Sequence, residues 1–470
     1  MLLIEAAFMM PAAAIAAAGK DMKSLTAFLI TAGICALAGL AGALLKGGHG
    51  MFYAKEGYFI VSLAWIILSL AGALPFFISG SIPDYIDAFF ECVSGFTTTG
   101  ASILEDVEAM PMSMLYWRSF THWLGGMGVL VLILAIMQSG SGGSTLHILR
   151  AESPGPSVGK IVPKMRRTAQ ILYGIYIAMT VTMILALVIS GMDVFKAVCY
   201  TFGTAGTGGF GTLSSSCASF TAAQQWIITV FMILFGVNFS IYYLILIGDV
   251  RSVLRDEETI TYVSVLIISA VLISVNTFRL FPSASEAVRA AFFQVGSIMT
   301  TTGYATTDFN LWPTFSKTLL VMLMFIGASA GSTGGGLKVS RITILVKSIT
   351  REIKRMIHPQ AVRPVRVSGK VVSDETVRSV NVYIITYFAI FAGSMIIVSL
   401  DSVDFTESFT SVAATINNIG PGLGIIGPYG SYAGLSGLSK LVLSADMLIG
   451  RLELYPILLL FSPSMWRRSR

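Results

Sequence analysis

The amino-acid sequence predicts an all-α polytopic membrane protein, and three observations carry that expectation. Charged residues make up 12% of the 470-residue chain and hydrophobic ones 54%, whereas soluble domains average roughly 25% charged. Apolar stretches such as 58–79, 115–138 and 179–189 approach the ~20 residues needed to cross a bilayer's hydrocarbon core. A short cluster rich in Gly and Thr also recurs four times along the chain. Together with a mean hydropathy of +0.78, these features exclude a secreted disulfide scaffold, a disordered chain and an ordinary cytosolic enzyme.

The placement of charge orients the spans. Segment 139–167 holds Arg150, Lys160, Lys164, Arg166 and Arg167 against the single acid Glu152. Segment 347–378 holds eight bases against three acids, and segment 81–112 has six acids and no base. Short basic loops stay cytoplasmic, so the first two are expected inside and the third outside. An Arg-rich tail, Trp466–Arg470, fits a cytoplasmic end. This distribution suits a membrane and not a nucleic acid. The four cysteines and four histidines are scattered without metal-ligand spacing, so neither a disulfide framework nor a zinc site is expected. The first apolar stretch, 1–19, has no basic n-region and reads as a short span, followed by a second near 25–46.

From there one unit repeats: an apolar span, a short amphipathic stretch, a Gly/Thr cluster and a second apolar span. The clusters are SGFTTTGAS at 94–102, TFGTAGTGGFG at 201–211, SIMTTTGYATT at 297–307 and AATINNIGPGL at 413–423. Each follows a stretch with an acid near its start: 84–93, 193–200, 286–296 and 404–412. These stretches are too short to span, so each reads as a half-helix that dips into the membrane and returns extended. Non-helical backbone at membrane depth is tolerated only where it is buried in protein or lines an aqueous cavity. Small residues also serve close helix packing, but four clusters at matching positions favour one shared axis. There, peptide carbonyls would replace the hydration shell of a cation, glycines would permit the required backbone, and helix C-termini would favour positive charge. No cluster contains an acid, which disfavours a hard divalent ion. The bottom-up reading is therefore a pathway for a monovalent cation.

Six segments then carry a resemblance: AFFECVSGFTTTGAS (88–102), GGMGV (125–129), AESPGPS (151–157), GSTGGGLKVS (331–340), NNIGPGL (417–423) and GRLELY (450–455). Together they resemble the Trk/Ktr/HKT superfamily of potassium transporters, specifically its bacterial TrkH type. The resemblance implies four pseudo-symmetric M1–pore-helix–M2 repeats around one ion pore, plus two extra N-terminal spans within 1–50. The repeats would occupy 51–140, 166–250, 251–346 and 376–470, with basic cytoplasmic linkers at 141–165 and 347–375. The family's filter glycines map onto Gly100, Gly208, Gly303 and Gly420. The implied filter residues are Thr98, Thr99 and Gly100; Gly206, Thr207 and Gly208; Thr301, Thr302 and Gly303; and Asn418, Ile419 and Gly420. Glycine in all four positions implies potassium as the transported ion, bound at these filter residues, with no cofactor held by this chain.

The third repeat's second span is interrupted at 327–336, where five of ten residues are glycine. A helix interior cannot be stable there, since each Gly costs ~1 kcal/mol against Ala. A surface turn and an intramembrane loop are both open on composition. The resemblance implies a gate loop, involving Gly327, Gly331, Gly334, Gly335, Gly336 and Lys338. It also implies that Arg451, in the last span, places positive charge near that loop, although Glu453 could instead neutralise it locally. Two nucleotide-motif matches fail: 206–211 lacks a βαβ context, and 331–339 has Leu337 between Gly336 and Lys338. The resemblance further implies a homodimer and a separate cytosolic ring of nucleotide-binding (TrkA-type) subunits. The basic loops would dock that ring or anionic membrane lipid. An ion-coupled (H+ or Na+) secondary symporter and a membrane-embedded enzyme are the competing classes. The latter lacks any Ser/His/Asp or H-E-x-x-H constellation.

Overall fold

The computed structural model describes residues 1–44, 54–128, 165–360 and 363–463. The motif at 151–157, the basic residues Arg150, Lys160 and Lys164, and the tail 464–470 lie outside them.

Two helices, α1 (Leu2–Ala18) and α2 (Met22–Leu44), precede four helical triplets. The first triplet is α3 (Ala54–Ser79), α4 (Tyr85–Phe96) and α5 (Met112–Gly126). The second is α6 (Met165–Ile189), α7 (Val194–Ala205) and α8 (Ala222–Phe235), followed by α9 (Phe239–Leu246) and α10 (Val250–Val253). The third is α11 (Glu257–Thr277), α12 (Ala284–Met299) and α13 (Thr314–Ile326), followed by α14 (Val339–Ile357). A small antiparallel hairpin, β1 (Arg366–Val367) with β2 (Lys370–Val371), leads to the fourth: α15 (Asp374–Val398), α16 (Phe405–Ile416), α17 (Gly437–Arg451) and then α18 (Tyr455–Leu460).

Among the described residues, α2 and the first helix of each triplet are long and apolar enough to cross a membrane. Their outer faces leave Leu37, Ile67, Leu185, Ile268 and Ile385 exposed, as a lipid-facing belt requires. The short middle helices are instead buried along most of their length. Side chains of Asp84, Asp193 and Asp404 cap three of them by accepting first-turn N–H bonds. In the third, Ser283 takes that place and Glu286 sits in the first turn, so the acid expected at the helix start is one turn inside it.

These middle helices extend further than the sequence suggested, to Phe96, Ala205, Met299 and Ile416. Back-bonding hydroxyls help carry the last turn: Thr97 Oγ1 donates to the Val93 carbonyl at 2.7 Å and Thr300 Oγ1 to that of Gly296 at 2.7 Å. The second long helices, α5, α8, α13 and α17, have only 15, 14, 13 and 15 residues. At 1.5 Å per residue they reach roughly 20–23 Å, short of a ~30 Å hydrocarbon core. All four then break: α5 at Met127 and Gly128, α8 in a 90° bend before α9, α13 in the glycine loop, and α17 at Glu453 and Leu454, both at positive φ. The sequence pointed to a break in the third triplet alone.

The triplets close on one another in order. Within each, the middle helix packs against its flanking long helices; between them, α5 packs on α7, α8 on α12, α13 on α16 and α17 back on α4. The ring of contacts is complete, with α1 and α2 outside its first member against α3 and α5.

Candidate functional site

All four middle helices end in one local structure. The N–H groups of Thr98, Thr207, Thr301 and Asn418 bond the carbonyls of Gly95, Thr204, Ile298 and Thr415. The next N–H in each, from Thr99, Gly208, Thr302 and Ile419, reaches the carbonyl of Ser94, Gly203, Ser297 and Ala414. This paired closure is a Schellman motif, which places its C′ residue in the left-handed region. Here those residues are not glycine: Thr98, Thr207, Thr301 and Asn418 have φ of 56, 56, 61 and 55°. A β-branched residue in this region is an outlier, and three threonines share it. Such strain is retained where the surrounding structure over-determines it, often at functional sites.

Two residues on, a glycine turns left-handed again in each segment: Gly100, Gly209, Gly303 and Gly420, with φ of 80, 82, 85 and 96°. Positive φ requires these glycines, and so does close approach. A Cβ on Gly100 would strike the carbonyl of Gly208, one on Gly209 that of Thr302, one on Gly303 that of Ile419, and one on Gly420 that of Thr99. Each segment therefore touches the next in cyclic order, backbone to backbone, and the fourth returns to the first. The structure corrects the register of the second segment. Gly209, not Gly208, is the counterpart of Gly100, Gly303 and Gly420; Gly208 matches Thr99, and Gly206 lies one residue below the other segments' left-handed position. Gly208 is glycine for a different reason, since a Cβ there would meet the ring of His122. That imidazole, on α5, contacts the Gly95 carbonyl through Nδ1 at 2.8 Å and lies over Phe210 with centroids 4.1 Å apart.

The ring has two kinds of segment. In the first and third, hydroxyls bond in pairs, Thr97 with Thr99 and Thr300 with Thr302, at 2.8 Å each. The second and fourth carry Gly208 and Ile419 instead, and Asn418 Nδ2 donates to Thr99 Oγ1 at 2.9 Å. Above the four glycines an outer cavity opens, lined also by Ser102, Glu105, Arg118 and Tyr432. A buried ion pair braces its wall: Arg118 Nε lies 2.6 Å from Glu91 Oε1. Glu91 also accepts the Ile103 N–H at 3.0 Å and the Ser102 hydroxyl at 3.0 Å, while Arg118 donates to the Gly211 carbonyl at 3.1 Å. Further out, Glu108 accepts the Ser214 N–H at 3.0 Å and also bonds its hydroxyl. Against partial burial, which raises it, those Ser214 bonds hold the Glu108 pKa below its ordinary 4.5.

Beneath the ring lies the glycine loop. Gly327, Gly331 and Gly336 have φ of 72, 72 and 77°, and Lys338, which caps α14, has 74°. The Gly335 N–H donates to Thr301 Oγ1 at 2.7 Å, and a Cβ on Gly335 would sit 2.5 Å from the Asn417 carbonyl. One on Gly334 would come within 2.8 Å of the Thr300 carbonyl. Of the two placements open on composition, the structure has the loop packed against the segments' inner ends, not at a surface. Lys338 Nζ bonds the Gly334 carbonyl, and Ser329 N–H the Gly236 carbonyl at 3.1 Å. Arg451 donates to the Thr333 carbonyl at 2.8 Å and to those of Gly125 and Gly126 at 2.5 and 2.8 Å. Its guanidinium thus ties the loop to the broken end of α5. Glu453 pairs instead with Arg341, whose guanidinium lies 4.1 Å from the Tyr383 ring centroid.

Sequence reasoning missed Gly209, His122 and the Glu91–Arg118 pair. For Gly209 a signal was available: the T-x-G spacing of 98–100 and 301–303, applied at Thr207, lands on it.

The family model described as "TrkH: Cation transport protein" matches residues 25–273 and 259–468. The chain belongs to the TrkH family. A similar relative is the "Trk system potassium uptake protein TrkH" of Escherichia coli K12, 39% identical over 425 residues, covering 89% of this chain and 87% of that one. The same bacterium's "Trk system potassium uptake protein TrkG" is 33% identical and covers 98% and 95%. Among solved structures, the crystal structure of the potassium transporter TrkH from Vibrio parahaemolyticus matches with a TM-score of 0.87 at 32% identity, over 99% of this chain and 98% of that one. The family's fold is thereby that of this chain, a multi-pass helical membrane protein of a transport family and not an enzyme.

Proposed function

We propose that this chain is a potassium uptake protein of the cytoplasmic membrane, and that potassium ions pass through the ring built by residues 98–100, 207–209, 301–303 and 418–420. One observation supports this above all: four extended segments touch each other cyclically, each glycine against its neighbour's carbonyl. Such a ring replaces the hydration shell of a permeating cation with peptide and hydroxyl oxygens. The names of the relatives, which are potassium uptake proteins, support K+ as the ion. The loop 327–338 is the gate, and Arg451 holds it shut beneath the ring.

The test is growth of a potassium-uptake-deficient bacterium at low external K+, comparing wild type with Gly100→Ser and Gly303→Ser. Loss of uptake, or of preference over sodium, is expected in both. Full uptake with unchanged preference in both variants refutes the site. Coupling to H+ or Na+ is the rival mechanism. Cyclic contact of four segments favours an axial pore over a two-state rocking device, and Rb+ flux into liposomes at varied pH and Na+ separates them. The proposal extends to a homodimer with cytoplasmic termini, whose basic cytoplasmic loops dock a nucleotide-binding ring or anionic lipid.

A further inference from the structure

The loop beneath the ring has a second fastening, at Ala330, besides the Arg451 bond at Thr333. Glu258, at the start of α11, is 7% exposed. Its Oε1 accepts the Ala330 N–H at 2.6 Å, and the carboxylate lies within electrostatic reach of the Ser340 backbone in the first turn of α14. Ala330 lies early in the loop and Ser340 just after it. Between them the neck is closed by the Val339 N–H on the Ala328 carbonyl at 3.1 Å. Helix α14 has Lys338 at its N-cap, with no side-chain cap bond, and Glu258 supplies from another helix the negative charge that a helix N-terminus favours. One carboxylate therefore bonds the first limb of the loop at Ala330 and sets its charge beside the start of the helix that follows the second.

The preceding residue connects that grip to the cytoplasmic surface. Glu257 accepts the Ser368 N–H at 2.9 Å, its own N–H reaches Ser368 Oγ at 3.1 Å, and its carboxylate pairs with Lys347. Lys347 Nζ also donates to the Arg366 carbonyl at 2.7 Å. Ser368 is the turn of the β1–β2 hairpin, at φ 49°, and the hairpin is seated on Ile344, Val377 and Val380. The hairpin, Glu257, Glu258 and the loop thus form an unbroken chain of contacts in which Glu257 and Glu258 are covalent neighbours.

We infer that Glu258 is the inner latch of the gate loop, and that the hairpin around Ser368 is the handle that works it. Displacing the hairpin shifts Glu257 and withdraws the adjoining carboxylate from Ala330 and from the start of α14, which frees the loop. The inference rests on reading 327–338 as the gate, and it makes Glu258 a positioning residue acting on the loop, not on the ion.

The experiment is Rb+ flux into liposomes holding the purified full-length protein, with the K+ over Na+ preference measured in parallel. Losing hydrogen bonds to a charged group is expected to shift the closed-to-open ratio by about tenfold to a hundredfold. Glu258→Ala should therefore raise basal flux by about tenfold or more with ion preference unchanged, and Glu258→Gln, which keeps the shape and one acceptor, should raise it less. Should the alanine variant not fold, the glutamine variant carries the same test. Ser368→Ala should raise flux in the wild-type background and add nothing to Glu258→Ala, because the handle acts through the latch. Flux at wild-type level in both Glu258 variants, while Arg451→Ala is raised, overturns the latch and leaves the gate standing. Flux unmoved in all three variants overturns the gate reading itself. An equal rise from Ser368→Ala with and without Glu258 overturns the coupling route.

Discussion

Replacing Arg118 with methionine would leave the Glu91 carboxylate, now 2.6 Å from its guanidinium, without its countercharge in a protein interior. Breaking a buried pair from one side costs about 3–5 kcal/mol, because the remaining charge keeps its desolvation penalty. The guanidinium also lies 3.5 Å from the Phe210 ring centroid and donates to Gly211, so the outward continuation of the second segment loses its anchor. Two readouts follow. Thermal unfolding in detergent should fall markedly for Arg118→Met, and Rb+ uptake should lose preference over Na+ because residues 102–103 and 211 are no longer braced together. The double variant Glu91→Leu/Arg118→Met removes both charges, an exchange often neutral in stability. It should regain most of the thermal stability while selectivity stays low, since no side chain then pins the Ile103 N–H and the Gly211 carbonyl. A single variant as stable as wild type, or a double variant with restored selectivity, would refute the reasoning.

The register of the second segment is tested by Gly208→Ala and Gly209→Ala. The first collides with a side chain, so adding His122→Ala should restore uptake; the second collides with the Thr302 backbone and should not be rescued. Arg451→Ala releases three carbonyl contacts and should raise basal Rb+ flux, and a folded variant with unchanged or lower flux counts against the gate. The Glu108–Ser214 contact should be acid-labile. A carboxylate whose folded pKa lies below its ordinary value adds stability that is complete above that value, here 4.5, and is lost as pH falls through the lower folded one. Acidification below about 4.5 should then lower thermal stability more in wild type than in Ser214→Ala, and identical pH profiles would exclude that role.

Much of the architecture was legible because membranes leave few options for unpaired backbone. Asp84, Asp193 and Asp404 ahead of short apolar stretches mark helix starts, and Gly/Thr clusters after them mark ends that cannot face lipid. Register failed at 206–209, where G-T-G-G offers a glycine at three of four positions and composition alone cannot choose. The breaks after α5, α8 and α17 were hidden because apolar residues continue across them: hydropathy reports what faces lipid, not whether the axis stays straight. Glu91, Arg118 and Glu258 look in sequence like ordinary loop-flanking charges. Their roles depend on partners 11 to 93 residues away, a separation no local pattern encodes.

The interlocked glycines bear on how such a pathway can diverge. In an assembly of identical subunits every substitution is copied around the axis, so only changes tolerable in quadruplicate survive. Here one polypeptide supplies all the sectors, and Gly208 and Ile419 stand where the other two segments keep Thr99 and Thr302. A single sector can exchange a hydroxyl for an aliphatic group while its neighbours hold their shape. The backbone clasp is the shared constraint, and the side chains between clasps are free to drift one at a time.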